Sequence, residues 1–267
     1  MMKAVYKALT IAGSDSGAGA GIQADIKTFA ALGVYGTSVI TAITAQNTLG
    51  VTQILELPVD LIAAQIDAVV QDIGTHALKT GMLANSTIIE VVAEKIREHC
   101  LQNLVVDPVM VAKGGDLLLR REGIEILRSK LIPLATVVTP NLPEAEQLTG
   151  VQGTNSKEIK EAARRIIAMG ARSVVIKGGH RRGPATDIFY DGKKFREISA
   201  PRVRTPHTHG TGCTFSAAIA ASLAKGEKPE KAVVQAKRYI TQAIRKGFAI
   251  GSGQSPVHHF YHFWAKD

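Results

Sequence analysis

The stretch ALTIAGSDSGAGAGIQADIKTFAALG, Ala8 to Gly33, decides the fold. Ala8 to Ala12 is an apolar run of strand length that stops at Gly13. Beyond Gly21, Ile22, Ile26 and Phe29 recur at helical spacing, and Gly33 stands where a left-handed residue closes a helix. Strand, glycine loop and helix in this order open a parallel α/β unit. The loop is not a dinucleotide fingerprint, because Gly17, Gly19 and Gly21 miss the GxGxxG spacing, whose third glycine falls on Ile22. Nor does any Asp or Glu lie between Asp25 and Glu56 to hold a ribose hydroxyl, and no GxxxxGK[ST] phosphate loop occurs.

Outward from this stretch, short β-type runs alternate with helix-period runs. Thr37 to Thr44 is rich in β-branched residues, as a strand requires. Asp60 is expected to cap a helix carrying Ile62, Ile66, Val69 and Ile73 on one face, and Ser86 to cap another carrying Ile89, Val92 and Ile96. Leu78 to Leu83, Leu104 to Val106, Ala135 to Thr139 and Ser173 to Lys177 read as brief strands. Asn141 and Glu144 stand at capping-box spacing, a helix from Asn155 to Met169 closes at Gly170, and Pro229 suits the first position of the last helix. A hairpin around Asp191-Gly192 is the one antiparallel signal. No repeat or compositional break interrupts the series. The expectation is one domain over residues 1–267, a three-layer α/β/α fold with a mostly parallel central sheet and a small antiparallel hairpin.

Composition narrows the function. The 267 residues are 45% hydrophobic and 21% charged, which excludes disordered, collagen-like and coiled-coil chains. Cys100 and Cys213 have no CxxC spacing and are too few for a disulfide framework, pointing to a reducing compartment. Met1 to Thr10 carries Lys3 and Lys7 without a signal-peptide core, and Phe215 to Ala224 falls short of the roughly 20 residues a membrane helix needs. A cytoplasmic chain without a membrane partner is expected. Net charge is +9, and Lys157 to Arg204 holds 13 Lys/Arg against 5 Asp/Glu. Only Phe189, Tyr190 and Phe195 accompany this charge, in a strand-like pattern without a recognition module, so an anionic small molecule is expected rather than nucleic acid. A solvated basic face accounts for most of these residues equally well.

Loops beyond strand ends carry the chemistry in open α/β sheets. In Gly210-Thr211-Gly212-Cys213 the glycines let backbone amides converge at a helix start, where the dipole favours an anion. Cys213 falls in the first turn, where a thiol pKa is expected to drop, so it could serve as nucleophile or as base for a nearby hydroxyl. A small buried thiol is the plainer alternative, and a zinc site from His207, His209 and Cys213 matches no structural-zinc spacing. Asn141 and Glu144 are explained by helix capping alone, yet a carboxylate beside a phosphate site also suits Mg²⁺ held through water. Lys177-Gly178-Gly179-His180 puts a lysine at a strand end, suited to neutralising a phosphoryl group in transfer. Together these loops describe phosphoryl transfer.

These loops lie within motifs that resemble the ribokinase-like superfamily, and within it the bacterial hydroxymethylpyrimidine and phosphomethylpyrimidine kinases. They are the opening LTIAGSDSGAGAGIQADIKTF, TAQNT at Thr44 to Thr48, KTGML at Lys79 to Leu83, DPVM at Asp107 to Met110, TPNLPEAE at Thr139 to Glu146, KGGH at Lys177 to His180, THGTGCT at Thr208 to Thr214 and PVHHF at Pro256 to Phe260. The resemblance implies ATP and Mg²⁺, phosphorylation of a hydroxymethyl or phosphate group on a pyrimidine, and a homodimer. It assigns Gly210, Thr211 and Gly212 to an anion hole and Cys213 to activation of the acceptor, where sugar kinases of the superfamily carry aspartate. It assigns Lys177 and Thr211 to ATP phosphates, Asn141 and Glu144 to the phosphate and magnesium region, with Glu144 acting through water, and Asp107 to the strand end nearby. Gln46 would read the substrate ring, since its amide can accept from an exocyclic amine and donate to the adjacent ring nitrogen. Asp25, Met82 and Val109 would line the same pocket. Three other readings stay open: a pyridoxal kinase of the same cysteine-bearing subgroup or a dual activity, a silent nucleotide- or vitamin-binding protein, and a nucleic-acid binder using the basic segment.

Overall fold

The computed structural model describes residues 5–110, 119, 121–179 and 183–264. Among them, β1 (Lys7–Asp15), β2 (Tyr35–Gln46), β3 (Val51–Glu56), β4 (Ala77–Thr80), β5 (Leu104–Val106), β6 (Val137–Val138), β7 (Val174–Ile176), β8 (Ala185–Tyr190) and β9 (Phe195–Ala200) form one sheet, in the order β3-β2-β1-β4-β5-β6-β7-β8-β9. From β2 through β7 every neighbour is parallel, while β3 at one edge and β8 and β9 at the other run antiparallel. The helices are α1 (Gly21–Ala31), α2 (Val59–Ala68), α3 (Ser86–Glu98), α4 (Arg121–Ile126), α5 (Leu142–Thr149), α6 (Ser156–Ala168), α7 (Thr211–Ala224) and α8 (Pro229–Arg245).

Strand alternation sorts the core into two halves. Leu78, Leu104, Val106, Val138 and Val174 pack against Ile62 and Ile66 of α2, Ile89 and Val92 of α3, and Ile159 and Ile166 of α6. Ala8, Ala77, Val105, Val137 and Val175 face the opposite way, against Phe29 of α1, Phe215 and Ile219 of α7, and Val233 and Ile240 of α8. Burying such a side chain is worth about 1.5–3 kcal/mol, and a one-residue slip would turn every strand over. The pattern therefore fixes register in a three-layer α/β/α sandwich.

Several expectations change at element ends. The Asp191-Gly192 hairpin forms as β8 and β9, but β3 adds a second antiparallel edge on β2, closed by Asn47, whose Oδ1 accepts from the Leu49 and Gly50 amides at 2.8 and 3.3 Å. Asp60 does not cap α2: it lies in the first turn behind Pro58, where its charge meets the helix dipole. Asn85, not Ser86, caps α3, accepting from the Ile88 amide at 2.9 Å. Asn141 and Glu144 form the expected capping box on α5.

Candidate active site

The chain leaves β1 for β2 on one side and returns to β4 on the other, so a crevice opens beyond the carboxyl ends of β1 and β4. The same alternation that buries Ala77, Val105, Val137 and Val175 under α1 and α7 carries one step further to Lys79, Asp107, Thr139 and Lys177. Four polar residues from four neighbouring strands thus share one face at the ligand-binding end of the sheet.

Lys177 Nζ lies 3.0 Å from Asp107 Oδ1 and 3.9 Å from Glu144 Oε2. Thr139 Oγ1 donates to Asp107 Oδ1 at 3.0 Å, and Ser216 Oγ on α7 stands 3.2 Å from Oδ2. Burial works to raise the Asp107 carboxyl, but Lys177 and Lys79 outweigh it and hold it below the usual carboxylate value. Glu144 goes the other way: burial pushes it up to about 7, outweighing the pull of Lys177, with Asp107 adding to the rise. A carboxyl raised from 4.5 to about 7 on folding keeps a proton that the unfolded chain releases, so stability falls as pH rises across that interval. Glu144→Gln, which can still accept the Asn141 amide, is expected to gain on the parent in Tm as pH rises from about 5 to 8. Thermal melts across that range check this, and parallel curves would contradict it.

Cys213 lies at the start of α7, a helix no side chain caps. Its N-cap Gly210 has φ +75°, and a Cβ there would stand 1.8 Å from the Gly19 carbonyl oxygen, so only glycine lets the two loops touch. The Gly21 amide at the start of α1 also meets the thiol, bringing two helix N-termini to one sulfur. The thiol pKa nevertheless does not drop as its place at a helix start leads one to expect. Burial, with Asp25 and Asp107 nearby, raises it to about 11 despite Lys79 and the Gly21 amide. Beneath it Lys79 Nζ pairs with Asp25 Oδ2 at 2.8 Å, both side chains 0% exposed. Thr10 Oγ1 donates to the same oxygen at 2.6 Å, while Asp25 Oδ1 has no hydrogen-bond partner. Burial by itself would lower the Lys79 ammonium, but Asp25, with Cys213 and Asp107 beyond, holds it above the ordinary lysine value.

Gln46 ends β2, half-buried, with its amide between Thr44 and His209. Asp15 Oδ2 lies 2.9 Å from His209 Nε2, and the same carboxylate accepts from the Gly17, Gly19 and Ala20 amides, ordering the glycine loop. Met82 is half-buried, and its Cε closes on Gly13 so tightly that a Cβ there would stand 2.5 Å away; Val109 is half-buried just beyond β5. The tail is held to α7: His259 Nε2 is 3.0 Å from Thr214 Oγ1, the His209 amide donates to Ser255 O, and the Val257 amide donates to His209 O. Burial lowers His259 to about 3, so it is neutral there.

Lys79, Asp15 and the Asp187–Lys237 pair carry no local sequence signal of a role. The last bridges two regions, because Asp187 accepts the Gly178 amide at 2.9 Å and the Lys237 ammonium at 2.7 Å. Lys237 also lines a groove of about 520 Å³ between β9 and α8, with Arg196, Arg238 and Arg245. His180 of the KGGH motif and Lys3 lie outside the described residues. His207, His209 and Cys213 do not gather as a metal site; among the described residues the one such cluster is Asp67, Glu98 and His99, where the Lys95 ammonium already pairs with Asp67 and Glu98 at 2.9 Å each. No helix of the described residues is long and apolar enough to cross a membrane.

Known proteins resemble this chain in sequence and in fold. The family model described as phosphomethylpyrimidine kinase matches residues 15–258. A Bacillus subtilis hydroxymethylpyrimidine/phosphomethylpyrimidine kinase is 51% identical over 258 residues, 96% of this chain and 95% of its own. A crystal structure of Bacillus subtilis pyridoxal kinase with ADP superposes at TM-score 0.90 with 45% identity, covering 96% of this chain and 98% of that one. A phosphomethylpyrimidine kinase from Clostridium difficile superposes at TM-score 0.80 with 46% identity, covering 89% and 99%.

Proposed function

Because this chain belongs to the phosphomethylpyrimidine kinase family, we propose that the residues gathered around Lys177 and Cys213 carry a phosphoryl group from ATP to the hydroxymethyl oxygen of an aminopyrimidine. The protein is a phosphotransferase of thiamine biosynthesis, phosphorylating 4-amino-5-hydroxymethyl-2-methylpyrimidine and its monophosphate at the expense of ATP. What carries the division of labour is the convergence of Lys177, Asp107 and the uncapped start of α7 on one face of the sheet. Amides of Thr211, Gly212 and Cys213 would hold the phosphoryl oxygens in transfer, with Lys177 drawing off their charge. The groove between β9 and α8, joined to the Lys177 loop through Lys237 and Asp187, is a basic path for the rest of the nucleotide. Asn141 fixes Glu144 through the capping box, leaving two carboxylates flanking Lys177.

Those carboxylates are hard oxygen donors, and a buried Glu144 held near 7 is a group whose ionisation a cation would favour, so the site fits Mg²⁺ held by Glu144 through water. Bound there, the ion would neutralise polyphosphate charge. Cys213, next to the acceptor hydroxyl, would take its proton as the new bond forms. Gln46 would read the aminopyrimidine edge, with Met82 and Val109 as apolar walls and Asp25 Oδ1 as a buried acceptor. One domain over residues 1–267 and a homodimer complete the proposal, the dimer supported by exposed Ile43 and its cross-strand partner Leu55 on the edge hairpin.

Gln46→Leu tests the substrate assignment. It is expected to raise the Kd and KM for hydroxymethylpyrimidine about 10- to 100-fold, the cost of leaving a polar edge unpaired, with the KM for ATP unchanged. Unchanged pyrimidine affinity by calorimetry would remove Gln46 from the pocket. Pyridoxal kinase remains the second reading, favoured by the 0.90 superposition, and pyridoxal lacks the exocyclic amine that Gln46 would bind.

A further inference from the structure

We infer that His209, its ring proton held by Asp15, is a positioning residue that fixes the Gln46 amide with nitrogen toward Thr44 and oxygen toward His209, and so sets which way round the aminopyrimidine binds. The inference rests on Gln46 as the reader of the ring and adds what decides its orientation.

The protons available around the amide decide its orientation. Thr44 Oγ1 lies 2.9 Å from the Ser14 carbonyl oxygen, which can only accept, so the single hydroxyl proton of Thr44 is spent there. Toward Gln46 the same oxygen can only accept. His209 Nε2 lies 2.9 Å from Asp15 Oδ2, a carboxylate that His209 and the Ala20 and Gly17 amides hold ionised against burial. Nε2 therefore carries the proton, which goes first to Asp15; it has no lone pair to offer Gln46 and can only share that proton with an acceptor. As placed, Oε1 stands 3.1 Å from Thr44 Oγ1 and Nε2 stands 3.4 Å from His209 Nε2, which sets acceptor against acceptor and donor against donor. A half-turn of the terminal amide exchanges its two ends, so that its nitrogen donates to Thr44 Oγ1 and its oxygen shares the His209 proton with Asp15. The backbone of the same residue is clamped independently, because Ser16 Oγ donates to Gln46 O at 2.7 Å and accepts its amide at 2.8 Å. Ser16 thus holds Gln46 directly, while Ser14 and Asp15 hold the two neighbours of its side-chain amide.

So oriented, Gln46 keeps one free N–H on the Thr44 side and one free lone pair on the His209 side. The exocyclic amine of the substrate then lies toward His209 and the adjacent ring nitrogen toward Thr44. The hydroxymethyl group is carried on the carbon next to the one bearing the amine, so this order turns the acceptor oxygen toward the start of α7, where Cys213 lies four residues after His209. The reversed amide would turn that oxygen away.

The test is a double-variant cycle in kcat/KM for hydroxymethylpyrimidine. His209→Ala is expected to lower it about tenfold with the KM for ATP unchanged, and to add less than about twofold in the Gln46→Leu background, because the two residues act through one amide. His209→Gln, which keeps an N–H for the same place, should recover most of the loss. Losses that multiply in the double variant, or no difference between the Ala and Gln variants, would overturn the inference. If Gln46→Leu itself changes nothing, Gln46 does not read the ring, a separate failure visible in that single variant. A second measurement needs no variant: the side-chain amide protons of Gln46 should show nuclear Overhauser contact with the Thr44 methyl and not with the His209 ring, and the opposite pattern would also overturn it.

Discussion

Cys213→Ala is expected to lower kcat about 10²- to 10⁴-fold while the KM for pyrimidine and for ATP stays within about threefold, the pattern of a group whose contribution comes in the transition state. The magnitude follows from what the thiol can do where it stands. Held near 11, it is a thiolate in only about one molecule in 10⁴ at pH 7, but that thiolate is a stronger base than one with a depressed pKa. Phosphoryl transfer through a loose transition state needs the acceptor proton removed late, so a scarce strong base suffices. The sign of the pH dependence follows: the active form is the deprotonated one, so kcat should still be climbing between about pH 7 and 9 and should be flat there in the alanine variant. Near-normal turnover in Cys213→Ala, or the same climb in both proteins, would remove Cys213 from the mechanism.

Lys79→Met is expected to destabilise the fold by about 3–5 kcal/mol, because it removes the counter-ion of a buried Asp25 carboxyl that burial already raises. Both side chains of the pair are 0% exposed, and the other donor to the carboxyl is the neutral Thr10 hydroxyl, which cannot replace a counter-ion. Lys79 is held above the ordinary lysine value, so its contribution is complete at neutral pH and is lost only as pH rises beyond that value. Replacing both residues, as Lys79→Met with Asp25→Leu, should return most of the stability without returning activity. Urea titration of the three proteins decides this. A single variant within about 1 kcal/mol of the parent would show that the pair is not the buried charge the geometry describes.

Much of this was readable from residues alone. Strand ends at Asp107 and Lys177, the capping box at Asn141 and Glu144, and the glycine cradle before Cys213 each advertise themselves, since their local chemistry depends on near neighbours in the chain. The features that escaped depend on distant partners. Lys79 within the apolar strand ALKT and Asp25 on the apolar face of α1 are each out of place alone; two misplaced opposite charges were the available signal for a buried pair. The β3 edge was passed over because its side chains are mostly exposed and show no alternation, although Asn47 and Gly50 mark the turn that makes it. For Cys213 the helix start was visible, but the burial of the thiol, and the carboxylates brought beside it from α1 and from the end of β5, outweigh the dipole. The tail PVHHF had no evident role in the sequence; in the fold it secures His209 and Thr214 at the start of α7.

ADP release from the purified protein with Mg-ATP, offering hydroxymethylpyrimidine, its monophosphate and pyridoxal in parallel, decides between a pyrimidine kinase, a pyridoxal kinase and a silent binder. Turnover with both pyrimidine species is the predicted result. Turnover with pyridoxal alone, or tight binding of the pyrimidines with no ADP formed, would contradict it.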